Sequence, residues 1–323
     1  MLKHIVVNFA RDEFVAEWLA FYDVIDAQWF TRAWIFQEFI VARKIHLIYG
    51  GRSMPWEALR SLSASLWLSH YLLLGDGPQS LKYSSCPDGG GRKDRNLRRL
   101  KEKAARNESS AAIVRLTWMV EHKDNWNGRL DLKELLTHSS YSKTTDPRDK
   151  IFAFIGLADP SYAIIPNYSH SLDQILIDTT MNIIRVENDL AVILYAPKYR
   201  PHDDFRLPSW VVHWAAGEPY NRTKPMEVDF LRGKKANAAF STMKTSHGRL
   251  WALHLCGLCI DSFVVAPANT GKKNSLVSPK GLLFIDSGFV QDEDEVWILN
   301  GCGVPVVLRP RNAGMCLYRL IFS

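Results

Sequence analysis

The chain has 323 residues, enough for two domains, and its 47% hydrophobic content with eleven tryptophans excludes an intrinsically disordered protein. Its net charge is +6, from 40 basic and 34 acidic residues, and residues 92–106 alone hold eight basic and two acidic residues. The rest of the chain is therefore neutral, which argues against a fold that binds nucleic acid over its whole surface.

Cysteine count and hydropathy indicate the compartment. Five cysteines argue against a disulfide framework, because an odd number leaves one thiol unpaired, and they favour a reducing compartment. The N-terminal residues lack the apolar core of a secretory signal, and no segment approaches the roughly 18 apolar residues that span a bilayer. We expect a cytoplasmic protein without a membrane span, with residues 92–106 as the signal for any nuclear import.

Apolar periodicity predicts the first elements. These are a helix over residues 12–22, a second helix over residues 30–41, and a strand over residues 44–49 that ends at two glycines. Ser53 and Pro55 mark the start of a third helix, because serine caps free amides and proline needs no donor in the first turn. The order of elements indicates a helix–strand unit of an α/β core.

Glu38 is the most informative polar residue of the second helix. It lies one turn after Trp34, and a carboxylate among large aromatic side chains is rarely buried without a partner. We therefore expect Glu38 to have a partner other than Arg32, which is six positions away on the same helix. One face of this predicted helix carries Phe30, Trp34, Gln37 and Val41.

The middle of the chain alternates polar and helical segments. Residues 84–91 predict a loop, and residues 92–106 predict a solvated helix or a flexible insertion. An amphipathic helix is predicted over residues 111–122, and Asp131 with Glu134 has the spacing of an N-capping pair.

A second strong helix start follows at Asp146. Asp146 can cap the helix, Pro147 fits its first position, and Asp149 faces the positive end of the helix dipole. Arg148 is available to pair with a carboxylate, for which Glu38 is one candidate.

The remainder of the chain changes from helix to strand. Ser171 and Gln174 predict the start of a helix that runs to about Val186, and Leu190–Ala196 predicts an apolar strand. From Leu250 onward the pattern is β. The predicted strands are Leu250–Ile260, Phe263–Ala266, Gly281–Ile285, Glu295–Asn300 and Val304–Arg309.

These elements predict an α+β protein. Residues 1–160 form a mostly helical α/β-type part with a basic insertion at 84–108, and residues 161–323 form a helix–β region that ends in a partial β-barrel.

Two stretches resemble the heterokaryon-incompatibility (HET) domain of filamentous fungi. The first is Trp29-Phe30-Thr31-Arg32-Ala33-Trp34-Ile35-Phe36-Gln37-Glu38, followed by Gly50 and by Pro55-Trp56-Glu57-Ala58-Leu59. The second is Thr144-Thr145-Asp146-Pro147-Arg148-Asp149-Lys150-Ile151-Phe152-Ala153-Phe154-Ile155-Gly156-Leu157-Ala158.

The resemblance continues with differences toward the C-terminus. Residues 207–214 resemble the family's Leu-Pro-Ser-Trp-Val-Pro-Asp-Trp, with Val212 and His213 in place of proline and aspartate. Residues 292–309 resemble the barrel-like tail of long members, with Glu293-Asp294 in place of Gly-Asp. Because family motifs expected before residue 12 and after Ser323 are not seen, we expect a fragment that lacks the N-terminal part of the domain and the extreme C-terminus.

The resemblance implies both a fold and a function. The HET domain is similar to the TIR domain, and the family acts in non-self recognition and programmed cell death through protein association. The expected partners are therefore proteins of an incompatibility system. We expect the motif residues to build and orient the core rather than to react. They are Trp29, Arg32, Trp34, Gln37, Glu38, Asp146, Pro147, Arg148 and Asp149.

Two alternatives stay open. Some TIR domains cleave NAD with a glutamate that stabilises the ribosyl cation, which would make Glu38 the catalytic residue of an NAD nucleosidase with NAD as substrate. The other alternative is a basic nucleic-acid-binding protein, although residues 92–106 lack the interleaved aromatics that stack on bases, so nucleic acid is not the expected partner.

No metal site or resident cofactor is expected. Cys256 and Cys259 have zinc-like spacing, but a closed site needs four ligands and no second pair follows. The interpretation favoured by the sequence is a core strand with small buried thiols.

Overall fold

The computed structural model describes residues 11–63, 91–195, 207–216, 235–245, 248–262, 275–277, 283–285, 293–311 and 314–320. Helices and strands both occur, as expected for an α+β protein. The chain divides into two compact units, Met1–Ala158 and Asp159–Ser323.

Unit 1 is mostly helical. Its strands are β1 (His46–Tyr49) and β2 (Arg52–Pro55), which pair antiparallel. Its helices are α1 (Asp12–Ile25), α2 (Gln28–Thr31), α3 (Ala33–Val41), α4 (residues 56–63), α5 (Arg92–Ala104), α6 (Asn107–Asp124), α7 (Leu132–Ser139) and α8 (Asp149–Ile155).

The two glycines after β1 form a hairpin rather than a simple strand end. Gly50 and Gly51 have φ of +57° and +77°, as a two-residue turn of the type I′ class requires. The chain therefore returns as β2, which contains Ser53 and Pro55. The predicted helix is present as α4 and begins at Trp56, but the placement of Ser53 and Pro55 in its first turn is wrong.

The predicted helix over residues 30–41 is interrupted at Arg32. This residue has extended backbone angles, φ −76° and ψ 132°, and forms a parallel bridge with Lys143. The Lys143 N–H donates to the Thr31 carbonyl at 2.5 Å, and the Ala33 N–H donates to the Lys143 carbonyl at 3.2 Å. The interruption exists because a distant segment takes up backbone groups that a continuous helix would use internally.

Helix α3 lies in the core of unit 1. It packs against α6 and α8, and α7 packs against α8. The core is apolar and aromatic, with Phe36, Phe39 and Ile40 of α3 buried beside Phe152 and Phe154 of α8. The two segments that carry the HET resemblance therefore belong to one compact body.

Two of the predicted helix caps are confirmed, those at Asp131 and Ser171. The Asp131 carboxylate accepts a hydrogen bond from the Glu134 N–H at 2.9 Å at the start of α7. The Ser171 hydroxyl accepts one from the Gln174 N–H at 3.2 Å at the start of α9 (Leu172–Glu187).

Unit 2 combines α9 with short 3₁₀ helices and strands. The predicted strand at residues 190–196 is wrong, because Ala191–Tyr195 is a 3₁₀ helix, started by the Ala191 N–H donating to the Asp189 carboxylate at 2.8 Å. The other 3₁₀ helix is Pro160–Tyr162. The strands are β3 (Ala239–Thr245), β4 (Gly248–His254), β5 (Gly257–Ser262), β6 (Ser275–Val277), β7 (Leu283–Ile285), β8 (Glu295–Leu299), β9 (Val306–Arg311) and β10 (Gly314–Leu320).

The strands of unit 2 form small antiparallel sheets. One sheet has the order β10-β9-β8-β5, and two hairpins pair β3 with β4 and β6 with β7. The predicted strand Leu250–Ile260 is in fact divided between β4 and β5. Within the described ranges these sheets do not close into a barrel. The predicted strand Phe263–Ala266 and residues 84–90 of the predicted loop lie outside those ranges.

A buried ion pair fixes the start of the four-stranded sheet. The Arg309 guanidinium donates to both carboxylate oxygens of Asp294, at 2.7 and 2.8 Å, and the two side chains are 7% and 0% exposed. The preceding Glu293 has φ +71°, a left-handed conformation that favours glycine. This is the position at which the resembled family carries glycine.

Candidate functional site

Helix α3 has one buried face and one exposed face. Ala33, Phe36 and Ile40 follow helical spacing and are 1%, 7% and 1% exposed. On the other side Trp34 is 36% exposed, and Glu38 is exposed one turn later. The expectation that Glu38 is buried with a partner is wrong, because the helix turns that carboxylate to the solvent.

Further exposed side chains lie beside Trp34 in the sequence and at the end of α3. Trp29 on α2 is 40% exposed, Val41 at the end of α3 is 50% exposed, and Arg32 between the two helices is exposed as well. Trp29 also packs edge-on against buried Phe30, with ring centroids 4.9 Å apart. We call Trp29, Trp34 and Val41 the tryptophan surface.

Two direct contacts join the resembling segments. The Phe36 and Phe154 ring centroids are 5.3 Å apart. The Gln37 side chain lies over Gly156, so that a Cβ added to the glycine would be 2.7 Å from the Gln37 Nε2 atom. Gly156 has ordinary helical backbone angles, which any residue can adopt. Glycine is therefore required here because a side chain would not fit.

The second segment begins with an ion pair of its own. The Arg148 guanidinium donates to the Asp146 carboxylate, with an Nη2–Oδ2 distance of 2.6 Å, and the Arg148 N–H donates to the same carboxylate at 2.9 Å. These bonds hold the pKa of Asp146 below its usual value. Asp146 therefore organises the turn before α8 without acting as its N-cap residue, which is Arg148.

Two lysines hold helix ends together, a feature that the sequence analysis missed. Buried Lys150 of α8 donates from Nζ to the carbonyls of Ser139, Ser140 and Ser142 at the end of α7. Burial lowers the pKa of Lys150 to about 8. A cation at a helix C-terminus satisfies carbonyls that have no partner within the helix.

Lys123 does the same for α3. Its Nζ donates to the carbonyls of Phe39 at 3.0 Å and Ala42 at 2.7 Å, and lies 5.3 Å from the centroid of the Phe39 ring. Burial lowers the pKa of Lys123. No local sequence signal could have found this contact, because Lys123 is 84 positions from Phe39.

A histidine pair lies beside α3 in the core. His122 and His138 are 5% and 7% exposed, with ring centroids 4.6 Å apart, and His138 also contacts Trp118 and Phe36. Both ring nitrogens of His138 lack a hydrogen-bond partner among the described residues. Burial, and secondly the neighbouring His122, lower the pKa of His138 to about 2.

A cleft of about 550 Å³ lies at the C-terminal end of α3. Arg60 and Asp124 form an ion pair at 2.8 Å on its wall. Glu38 is not among its lining residues, so this cleft does not supply a nucleotide pocket for that carboxylate. The lining residues are Ile40, Val41, Ala42, Arg43, Trp56, Glu57, Arg60, Lys123, Asp124 and Trp126.

The predicted site residues therefore lie mostly around the core rather than in it. Trp29, Arg32, Trp34, Glu38 and Pro147 are exposed. Gln37 and three residues of the second segment are partly buried, namely Asp146, Arg148 and Asp149.

The cysteine interpretation is corrected by the structure. Cys256 and Cys259 are exposed, whereas Cys302 is buried. Among the described residues no group of three or more histidine, cysteine or acidic side chains could hold a metal ion. In the same part of the chain, no helix combines the length and the apolar character needed to cross a membrane.

Comparisons with protein-family models, with curated proteins and with solved structures find no match to this chain.

Proposed function

We propose that this chain is a TIR-like HET-domain protein that acts in non-self recognition and programmed cell death of fungi, through association with protein partners in the cytoplasm. The contacts of Phe36 with Phe154 and of Gln37 with Gly156 support the proposal. They make one packing unit of the two segments on which the resemblance rests.

The observation that carries the proposal is the exposure of two motif tryptophans. Trp29 and Trp34 are 40% and 36% exposed, although the same helices bury Phe30 and Phe36. Tryptophan is enriched among the residues that dominate protein–protein binding energy, because it covers a large area with few rotatable bonds. The family segment thus presents to solvent the side-chain type best suited to association.

The test is cell death on induced expression in a filamentous fungus. We expect the wild-type chain to kill cells, measured by uptake of a membrane-impermeant dye, and Trp29→Ser with Trp34→Ser to abolish the effect. Ile48→Ser is the matched control, because Ile48 is an exposed apolar residue of the same unit, 76% exposed in the β1–β2 hairpin.

The variants must be compared at equal abundance and with equal circular dichroism. Equal killing by the wild-type chain and by the double tryptophan variant would remove the tryptophan surface from the proposal. Absence of killing by the wild-type chain would remove the proposed function itself.

The NAD-hydrolase alternative makes a separate prediction for Glu38. The exposed position of this carboxylate, outside the lining of the described cleft, gives it little support. Consumption of NAD by the purified chain, abolished in Glu38→Gln, would establish that alternative. Equal rates for the two chains would end it.

A further inference from the structure

The surplus positive charge of this protein lies in α5 and the residues directly after it. Residues 92–106 carry a surplus of six positive charges, equal to the net charge of the whole chain. In the structure α5 is anchored rather than loose, because Leu97, Leu100 and Ala104 are 8%, 1% and 0% exposed and the helix packs against α1. The prediction of a solvated helix or flexible insertion is therefore only half right.

Polar contacts fix the orientation of α5 on α1. Buried Asn96 donates to the Asp12 carboxylate at 2.8 Å. Lys103 lies 2.8 Å from both Asp23 and Asp26, so this lysine faces α1 and not the solvent. The anchoring leaves the opposite side of the helix as a defined surface.

Exposed Arg95 and Arg99 lie on that opposite side, and together with exposed Arg106 we call them the arginine surface. At 1.5 Å rise per residue, Arg95 and Arg99 are about 6 Å apart along the helix axis. Arg106 follows shortly after the end of the helix. Guanidinium groups donate paired hydrogen bonds that match phosphate oxygens, so the surface suits phosphate better than an uncharged partner.

We propose that the arginine surface binds the phosphate headgroups of an anionic lipid bilayer. The apolar side of α5 is covered by α1, so the contact is electrostatic and peripheral, without insertion of the helix into the bilayer. With the rest of the chain neutral, this face would orient unit 1 toward a negatively charged plane.

The composition of the surface favours lipid over nucleic acid. The exposed Glu102 lies among the arginines. A fluid bilayer of mixed lipids can place a neutral lipid opposite this carboxylate, whereas a duplex presents a fixed row of phosphates. The outward residues of α5 whose side chains are described include no aromatic residue that could stack on bases.

The test is sedimentation of the full chain with vesicles of phosphatidylcholine mixed with phosphatidylserine, beside vesicles of phosphatidylcholine alone. Each basic residue at such a surface contributes a factor of about five in partitioning, so Arg95→Gln, Arg99→Gln and Arg106→Gln together should weaken binding about a hundredfold. Raising the salt from about 0.1 M to about 1 M should release the wild-type chain, because the Debye length falls from about 10 Å to about 3 Å.

The control is a second triple variant, Arg43→Gln, Lys44→Gln and Arg52→Gln. It removes the same charge from exposed positions elsewhere in unit 1 and should retain most of the binding. An equal loss in both triple variants would overturn the proposal, as would equal binding to the two kinds of vesicle. Tighter binding of the wild-type chain to a DNA duplex than to the anionic vesicles would assign the surface to nucleic acid instead.

Discussion

Replacement of His138 tests the energetics of the core beside α3. His138 is 7% exposed, both its ring nitrogens lack partners among the described residues, and burial lowers its pKa to about 2. In the unfolded chain the same imidazole titrates near its ordinary value of 6.5. The unfolded state therefore binds a proton as the pH falls below that value, while the folded state does not.

This difference fixes the sign and size of a pH effect. Because the folded pKa lies below the unfolded one, the native protein has its full stability above the unfolded pKa and loses stability as the pH falls toward the folded pKa. Between about pH 7 and about pH 5 the loss from this one group is about 2 kcal/mol. The variant His138→Leu cannot bind a proton there, so its stability relative to wild type should rise by that amount over the same range.

The assay is urea-induced unfolding followed by tryptophan fluorescence at several pH values. Comparison with wild type cancels the contributions of titrating groups that do not contact His138, and His46→Gln, at an exposed histidine of the same unit, is the control. Parallel stability curves for wild type and His138→Leu would show that His138 is not buried in its neutral form, and would refute the reasoning.

Three further predictions concern packing and backbone. Glu293→Gly should stabilise the protein by about 0.5–1 kcal/mol in urea unfolding, because Glu293 has φ +71°, and a loss of stability would contradict that conformation. Gly156→Ala should lower the free energy of unfolding by about 1 kcal/mol, and by less in a Gln37→Ala background, because the new Cβ meets the Gln37 side chain. Additive effects of the two substitutions in the double-mutant cycle would rule out the contact. Asp294→Ala should lower the free energy of unfolding, measured by calorimetry, by about 3–5 kcal/mol, because the buried Arg309 charge would lose its carboxylate partner. A small effect would place the ion pair at the surface.

The sequence predicted some of the features that depend on neighbouring residues, but not the helix cap at Asp146, where Arg148 is the N-cap residue instead. The caps at Asp131 and Ser171 follow from a spacing of three residues, and both form the expected hydrogen bond. The turn at Gly50 was recognised as the end of a strand, but not as a hairpin. Strand β2 was missed because Ser53 and Pro55 also fit a helix start, and only pairing with β1 distinguishes the two.

Features made by distant segments could not be predicted. The break at Arg32 requires Lys143, and the end of α3 requires Lys123, which is more than 80 residues away. Likewise, a helix that is apolar almost throughout does not reveal which side meets the core. Trp34 and Glu38 were therefore placed among buried residues, although neighbouring helices cover the opposite face.

In the first HET-like segment, burial does not follow polarity. Phe36 and Gln37 face inward and contact Phe154 and Gly156, whereas Trp34 and its neighbour Trp29 face the solvent. Trp29 and Trp34 keep 40% and 36% of their surface exposed, and covering that apolar area is favourable, so this surface is stabilised when another molecule covers it.

The tryptophan surface and the arginine surface belong to different helices of unit 1, which makes their roles separable. If the tryptophan variant still binds vesicles but no longer kills cells, protein association is a step that follows membrane contact. Loss of cell death in the arginine variant as well would make the lipid surface the place where association occurs. Because the arginine variant leaves Trp29 and Trp34 in place, its effect on cell death measures the contribution of the membrane alone.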